Sequence, residues 1–546
     1  MFRYVIGGVI WCLAVGPLTG QERVTTLTNG RIWTGDVQHA WVEAIAVRGA
    51  SIVAVGTTDE IRAAYADAAD EDLAGGFVVP GFIDTHTHFG SAGRLLLGLN
   101  LLNVSDDAAF EAAVAQAGNR LPEGSWLVGG DWGAYDLGSD WVPSRALLDS
   151  LTGARPALIR KWDRSVWLAN SAALRRAGLD PTNNSGFLEG ADLAAVRAVI
   201  GSTPFEQRLA EARLAMRDLA AHGVTTIHDI TSAQQLGVFQ HLAQVDSLSV
   251  RVCARPTLDH WSELAGLGIR DGFGSEWIFF CGLKGFVDGI MGNSSAKFRE
   301  PYDHTPESDG AWRAMMSPDG NMQALINGAD SAGLSPNIHA IGDLAVDTLL
   351  DLFESAIATN GPRSRRRFRM IHAQVVEPDD FSRFGELGII AEVQPYHAID
   401  DMRWMEDRIG ERSSGAYAFR SLIEGGAMVV FGSDWPGTNA SWYPSEPLLG
   451  IYAAVTRKTL DGDPANGWYP SERITVEEAL RAYTVNAAYA GFEEHRKGML
   501  RPGFLADLVV LSQNLFDIPA AQIRNVMVQG TMVGGRWVYR RTRMTP

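Results

Sequence analysis

The sequence predicts an α/β protein: a TIM-like (β/α)8 barrel carrying a small composite β-sandwich domain built from both chain ends. Eight apolar, strand-like runs alternate with helical stretches through the centre of the chain, and single ionisable residues recur at their C-terminal ends. Short β-rich runs bounded by Gly, Asp and Asn turn residues occupy both termini.

The first residues place one Arg before an apolar stretch from Tyr4 to Leu18 and then turn polar, the pattern of a signal peptide over 1–20. This stretch is shorter than the about 20 residues that span a bilayer. The chain is therefore expected to be exported, periplasmic or secreted, with no stable membrane partner after cleavage; an uncleaved leader holding it in the membrane is the alternative. TTLTNGRIW, WVEAIAVRG and SIVAVG follow, and ADLVVLS, VMVQGTMV and RWVYRR repeat that texture at the far end. Residues 21–80 and 498–546 are thus assigned to the sandwich and 81–497 to the barrel. The eight central runs are FVVPGFIDTHTH, PALIRKW, VTTIHDI, FFCGLKGFVDG, LSPNIHA, FRMIHAQ, GIIAEVQPY and AMVVFGSDW.

Composition bounds the function. With 46% hydrophobic and 20% charged residues over 546, the chain can bury a large core. A formal charge of −17 repels phosphate backbones, which argues against a nucleic-acid partner. The one basic stretch, Arg363 to Arg369, reads as a solvated helix-to-strand turn. Of three cysteines, Cys12 lies in the leader, so Cys253 and Cys281 form one pair at most, and disulfides do not organise the fold. Cys281, three residues from Lys284, is expected on the opposite face of a regular strand, packed against helices. A small-molecule substrate is expected, and a homo-oligomer stays open.

The chemistry begins at His86 and His88. One residue apart on a strand, they project to the same face, and Asp84 shares that parity. Lys284, His339, His372 and Asp434 stand at the ends of later runs. Burying such groups together is costly unless they are paired or bound to a cation, and neutral imidazoles cannot neutralise one another. Nitrogen and oxygen ligands without thiolate suit Zn²⁺ most readily, with Mn, Co, Ni or Fe as alternatives, as one ion or two.

PGFIDTHTH, KGFVDG, NIHAIGD, IHAQ, FGSDWP and RPGFLADLVVL, in that order, resemble the family 3 amidohydrolases, particularly the branch related to N-substituted formamide deformylases. The resemblance runs from about Thr26 to Tyr539. It implies that His86 and His88 hold the more buried metal, and that His339 and His372 hold the second. It further implies that Lys284 bridges them after capturing CO₂ as a carbamate, and that Asp434 binds metal and shuttles a proton. A bare lysine repels cations, so Lys284 can serve only if desolvation lowers its pKa; its structural alternative is a salt bridge to Asp288. The sequence departs from the family at Ser165, where a histidine is expected, and at Ile290 and Met291, which make that wall more apolar.

A metal-lowered water pKa would supply hydroxide at neutral pH, and Asp434 would move its proton to the leaving nitrogen. His397, His228, Tyr396 and Trp435 are candidate substrate contacts, and Asp343 is a candidate support for the local turn or for His339. The leading reading is hydrolysis of a non-peptide amide-type C–N bond. The same site would serve an ester, lactone or carbamate, and a catalytically silent metal-binding barrel is the alternative of another class.

Overall fold

A computed structural model describes residues 23–133, 140–162, 164–316, 321–437 and 442–541. The predicted leader and Cys12 lie outside them.

Both chain ends share a six-stranded sheet, ordered Arg536–Arg540, Val528–Val533, Leu508–Leu511, Phe77–Pro80, Arg31–Trp33 and Trp41–Val42. Its seam is antiparallel, with Val510 opposite Val78. A four-stranded sheet of N-terminal strands accompanies it, and Leu27, Ile45, Val78, Leu508 and Met532 from both sheets share one apolar cluster.

The α/β body is built on β1 (Phe82–Thr87), β2 (Val224–Ile230), β3 (Arg251–Arg255), β4 (Leu283–Phe286), β5 (Pro336–Ala340), β6 (Arg369–His372), β7 (Ile390–Val393) and β8 (Met428–Phe431). All their pairings are parallel, and most of their residues are buried, as expected where helices cover a sheet. Two sheets result: β1, β2 and β3 with the short strand Ile278–Phe280, and β4 through β8 in chain order. Parallel bridges join them at both margins. Thr87 pairs with Trp435, where the Asp434 amide donates to the His86 carbonyl at 2.8 Å. At the other margin Thr257 pairs with Lys284, whose amide donates to the Pro256 carbonyl at 2.8 Å.

Three expectations need correction. PALIRKW forms Ala157–Lys161, but it pairs with Leu127–Trp132 in a separate four-stranded sheet, outside the two parallel ones. Its place is taken by β3, bounded by two fully buried arginines. The run through Cys281 is not a regular strand either: it breaks at Gly282, where φ is +135° and a Cβ would lie 2.5 Å from the Asn337 side chain. Cys281 there is joined to Cys253 of β3 in a buried disulfide. Finally, the basic stretch is not simply solvated. Arg366 pairs with Asp330, Arg367 with Glu494 and Arg369 with Glu392.

Candidate metal centre

The C-terminal ends of the parallel strands open into a cavity of about 1220 Å³. His86, His88, Lys284, His339, His372, His397 and Asp434 all line it. At its base Asp434 sits among imidazoles: its Oδ1 is 3.4 Å from His86 Nε2 and 3.1 Å from His88 Nε2, and its Oδ2 is 3.9 Å from His397 Nε2. The His372 ring lies 5.4 Å from that of His86 and 4.5 Å from that of His339. Two candidate ligand groups share the carboxylate, His86 with His88 and Asp434, and His372 with His397 and Asp434; within each, the ligand atoms lie within 4.8 Å of one another.

The backbone is strained where this is built. His372 and Asp434 both adopt positive φ, +74° and +58°, which costs a non-glycine residue about 1–3 kcal/mol. Such geometry persists only where surrounding bonds hold it. The Asp434 amide is tied to β1, and Asp84 Oδ1 accepts from the amides of both His86 and Ser433. Asp84 thus braces the β1–β8 junction instead of orienting an imidazole through its ring, and burial pushes its carboxyl up to about 7.

Ring orientation comes from β7. His86 Nδ1 donates to Glu392 Oε1 at 2.9 Å, and His372 Nδ1 donates to Gln394 Oε1 at 2.7 Å. Each bond fixes a tautomer and leaves Nε2 as the lone-pair nitrogen facing the cavity. His339 differs: its Nε2 donates to the Gly289 carbonyl at 2.8 Å, so Nδ1 is the nitrogen left for a ligand. Glu392 is itself held by Arg255, at 2.9 and 3.0 Å, and by Arg369 at 3.1 Å. Burial alone would raise its pKa, but Arg255, His86 and Arg369 outweigh it and keep the carboxyl well below the usual range.

The cluster fits a cation. His86 Nε2 and Asp434 Oδ1 are buried and have no hydrogen-bond partner among the described residues, an expensive arrangement that a divalent ion would resolve, and His397 Nε2 is likewise buried without one. Protonation would not resolve it. Burial, followed by the neighbouring Lys284, lowers the His86 pKa, and burial lowers that of His397 to about 4. Asp434, despite burial, is held well below the carboxylate range by His86 and His88. Lys284 is pushed down to about 7, by burial and then by Arg255. No salt bridge to Asp288 forms; that carboxylate accepts from the amides of Lys297, Ile341 and Gly342.

Of the four candidate substrate contacts, only His397 lines the cavity. His228 is buried away from it, its Nδ1 accepting from Arg369 Nη1 at 2.9 Å. Trp435 is fully buried in an apolar cluster beside Phe89. Tyr396 packs with its ring 5.9 Å from Tyr443, and Tyr443 is the residue of the two that lines the cavity. Asp343 accepts from the Arg299 and Leu344 amides and does not touch His339. Glu392, Gln394 and Arg255 went unnoticed in the sequence, and Arg369 was read there only as part of a solvated turn. The period-two pair Glu392 and Gln394, polar residues inside the apolar run GIIAEVQPY, was the available sign.

Against known proteins, a family model described as "Amidohydrolase family" matches residues 71–539. A second, described as "Imidazolonepropionase-like composite domain, bacteria", matches residues 44–68. The chain is 34% identical to "Protein LONG AFTER FAR-RED 3" of Arabidopsis thaliana, over 96% of this chain and 93% of that one. It is 26% identical to the "N-substituted formamide deformylase" of Arthrobacter pascens, over 96% and 99%. An uncharacterized metal-dependent hydrolase from Pyrococcus furiosus superposes with a TM-score of 0.73 at 26% identity, covering 90% of this chain and 99% of that structure.

Proposed function

Since the chain belongs to the amidohydrolase family, a family of metal-dependent hydrolases, we propose that it hydrolyses an amide-type C–N bond outside peptides. The observation that carries this reading is the convergence of His86, His88, His372 and His397 on Asp434, with unpartnered atoms facing one point. The likeness to a formamide deformylase supports the choice of bond.

His86, His88, His339, His372 and Asp434 would hold one or two divalent ions, Zn²⁺ first among the candidates, with Lys284 as a carbamate between them. When bound, such an ion polarises a carbonyl and lowers the pKa of water toward about 7. The chain's own residues do the rest. Lys284, with its amine half neutral near pH 7, is nucleophilic enough to take up CO₂. Glu392 and Gln394 hold the imidazoles of His86 and His372 in one tautomer. Asp434 remains a carboxylate at neutral pH and faces the cavity, so it accepts a proton from attacking water and returns it to the leaving nitrogen. His397 is neutral and its Nε2 lies within 3.9 Å of Asp434, where it would donate to a substrate oxygen.

The two parallel sheets, bridged at both margins, read as one TIM-like (β/α)8 barrel, and the two terminal sheets as the composite sandwich. Export by the leader completes the reading; among the described residues no helix is long and apolar enough to cross a membrane. N-terminal sequencing of the mature chain tests that part. For the chemistry, metal analysis is coupled to a screen of N-formyl and N-acyl amides against esters and lactones, with Asp434→Asn as the blank. Amide turnover that needs the metal and falls at least about a hundredfold in the variant is expected. Ester or lactone turnover without amide turnover would replace the bond assignment, and full activity in Asp434→Asn would remove the proton role.

A further inference from the structure

Beyond the ligand cluster the cavity wall carries guanidinium groups of two kinds. Arg160 is neutralised by Asp131, which takes its Nε at 2.5 Å and Nη2 at 3.1 Å. Arg164 and Arg313, also on the wall, have no carboxylate within ion-pair distance among the described residues. Arg164 makes no side-chain hydrogen bond there, and its backbone is held at φ +63°. Arg313 is anchored next to the ligand cluster: its amide donates to the Val287 carbonyl at 2.8 Å and its Nε to the Asp288 carbonyl at 3.1 Å. The Asp288 carboxylate in turn lies 3.4 Å from His339 Nε2. Arg313, an exposed residue of the cavity wall, is thus tied through Asp288 to the neighbourhood of His339, a metal-ligand candidate.

Burial and then the charge of Arg160, partly offset by Asp131 and with smaller contributions from Arg197 and Arg313, hold the Arg164 guanidinium below its ordinary value. A chain of net charge −17 has ample acidic side chains to pair with them, yet among the described residues neither Arg164 nor Arg313 has one within ion-pair distance. Unpaired guanidiniums at a cavity wall present the donor geometry that carboxylates take in bidentate fashion.

We propose that Arg164 and Arg313 form a carboxylate subsite, so that the substrate is an anionic amide whose scissile bond lies between this subsite and the His and Asp cluster. This rests on the amide-hydrolase reading above. Water adds across the C–N bond, the acyl carbon leaves as a carboxylic acid and the nitrogen as an amine, and the substrate's own carboxylate stays intact in the arginine grip.

The test uses N-acetylphenylalanine and its uncharged carboxamide, each as both enantiomers. Calorimetric affinities are measured in an Asp434→Asn background, and turnover in the metal-loaded wild type. A charge-assisted pair of this kind predicts about ten- to hundredfold tighter binding of the carboxylate. Arg164→Gln and Arg313→Gln should each erase most of that preference, Arg313→Lys should retain part of it, and carboxamide affinity should stay unchanged throughout. Equal affinity for the two probes, or a preference indifferent to Arg164→Gln, overturns the subsite. Should Arg313→Gln fail to fold, Arg164→Gln decides alone, because that side chain is exposed and makes no bond whose loss would unfold the chain. A preserved carboxylate preference without amide turnover supports the subsite and sinks the choice of bond; turnover of both probes with equal KM does the reverse.

Discussion

Glu392→Gln is the perturbation that most directly separates a designed scaffold from a fortuitous cluster. Glu392 is fully buried and accepts four hydrogen bonds, one from His86, two from Arg255 and one from Arg369. Glutamine conserves the volume and removes the charge, leaving two guanidiniums buried with no anion between them. Breaking a buried pair from one side costs about 3–5 kcal/mol. Because the native pKa of Glu392 lies below its ordinary 4.5, its contribution is complete above that value and is lost as pH falls through the native pKa. The deficit of the variant should therefore be full at pH 7 and shrink in acid. A second effect follows at the metal. With His86 no longer tied through Nδ1 to a carboxylate, cation affinity should fall about 10- to 100-fold. Urea denaturation at pH 7 and in acid, with metal-competition titration, reads both quantities. A loss under about 1 kcal/mol together with unchanged metal affinity would refute the reasoning, since neither the charge pairing nor the ring orientation would then depend on this carboxylate.

Lys284, with a pKa of about 7, is increasingly neutral as pH rises through that value, so recovery of activity by chelated enzyme given Zn²⁺ and bicarbonate should climb across the same range; recovery independent of pH, or surviving in Lys284→Met, would remove the carbamate. Asp401, fully buried and raised to about 8, keeps a proton that the unfolded chain has already released, so it lowers stability progressively between about pH 4 and 8. Asp401→Asn, which can still accept from Tyr417, should gain most over wild type at pH 8 and least at pH 4, and thermal midpoints that move in parallel at both would contradict this. Trp435→Ala empties a fully buried site and should cost about 3–5 kcal/mol, while leaving substrate preference unmoved because the ring does not reach the cavity; a change in preference with intact stability would return Trp435 to the substrate contacts.

How much of this was legible in the sequence depends on whether the signal was local. His86 and His88 could be read because period-two alternation is a property of one strand, and β5, β6 and β8 each carry a candidate ligand at or just beyond the C-terminal end, His339, His372 and Asp434. β3 could not, because RVCAR opens and closes on arginine, and only the folded chain shows that Arg251 is taken up by Asp507, 256 residues away, and Arg255 by Glu392. PALIRKW failed in the opposite sense: its pattern correctly foretold a strand, but pattern carries no information about which sheet the strand joins.

The same division explains why ligands were easier to find than their supports. A metal ligand must be of a few residue types at a strand end, which a sequence advertises; a supporting group need only reach a ring nitrogen, which depends on neighbouring strands being in register. Glu392 and Gln394 support His86 and His372 because β7 lies beside β6 and puts both polar side chains on the inner face. His228 shows the converse. It has a ligand's residue type and a strand position, yet Arg369 claims its Nδ1, and burial followed by the charges of Arg369 and Arg255 drives its pKa well below the usual value. Two histidines of equal promise in the sequence are therefore separated by what meets Nδ1: at His86 the Glu392 carboxylate at 2.9 Å, with Arg255 Nη2 beside it at 3.1 Å, accepts the proton and frees the opposite nitrogen for a cation, whereas at His228 only a guanidinium is found among the described residues and it occupies the Nδ1 lone pair.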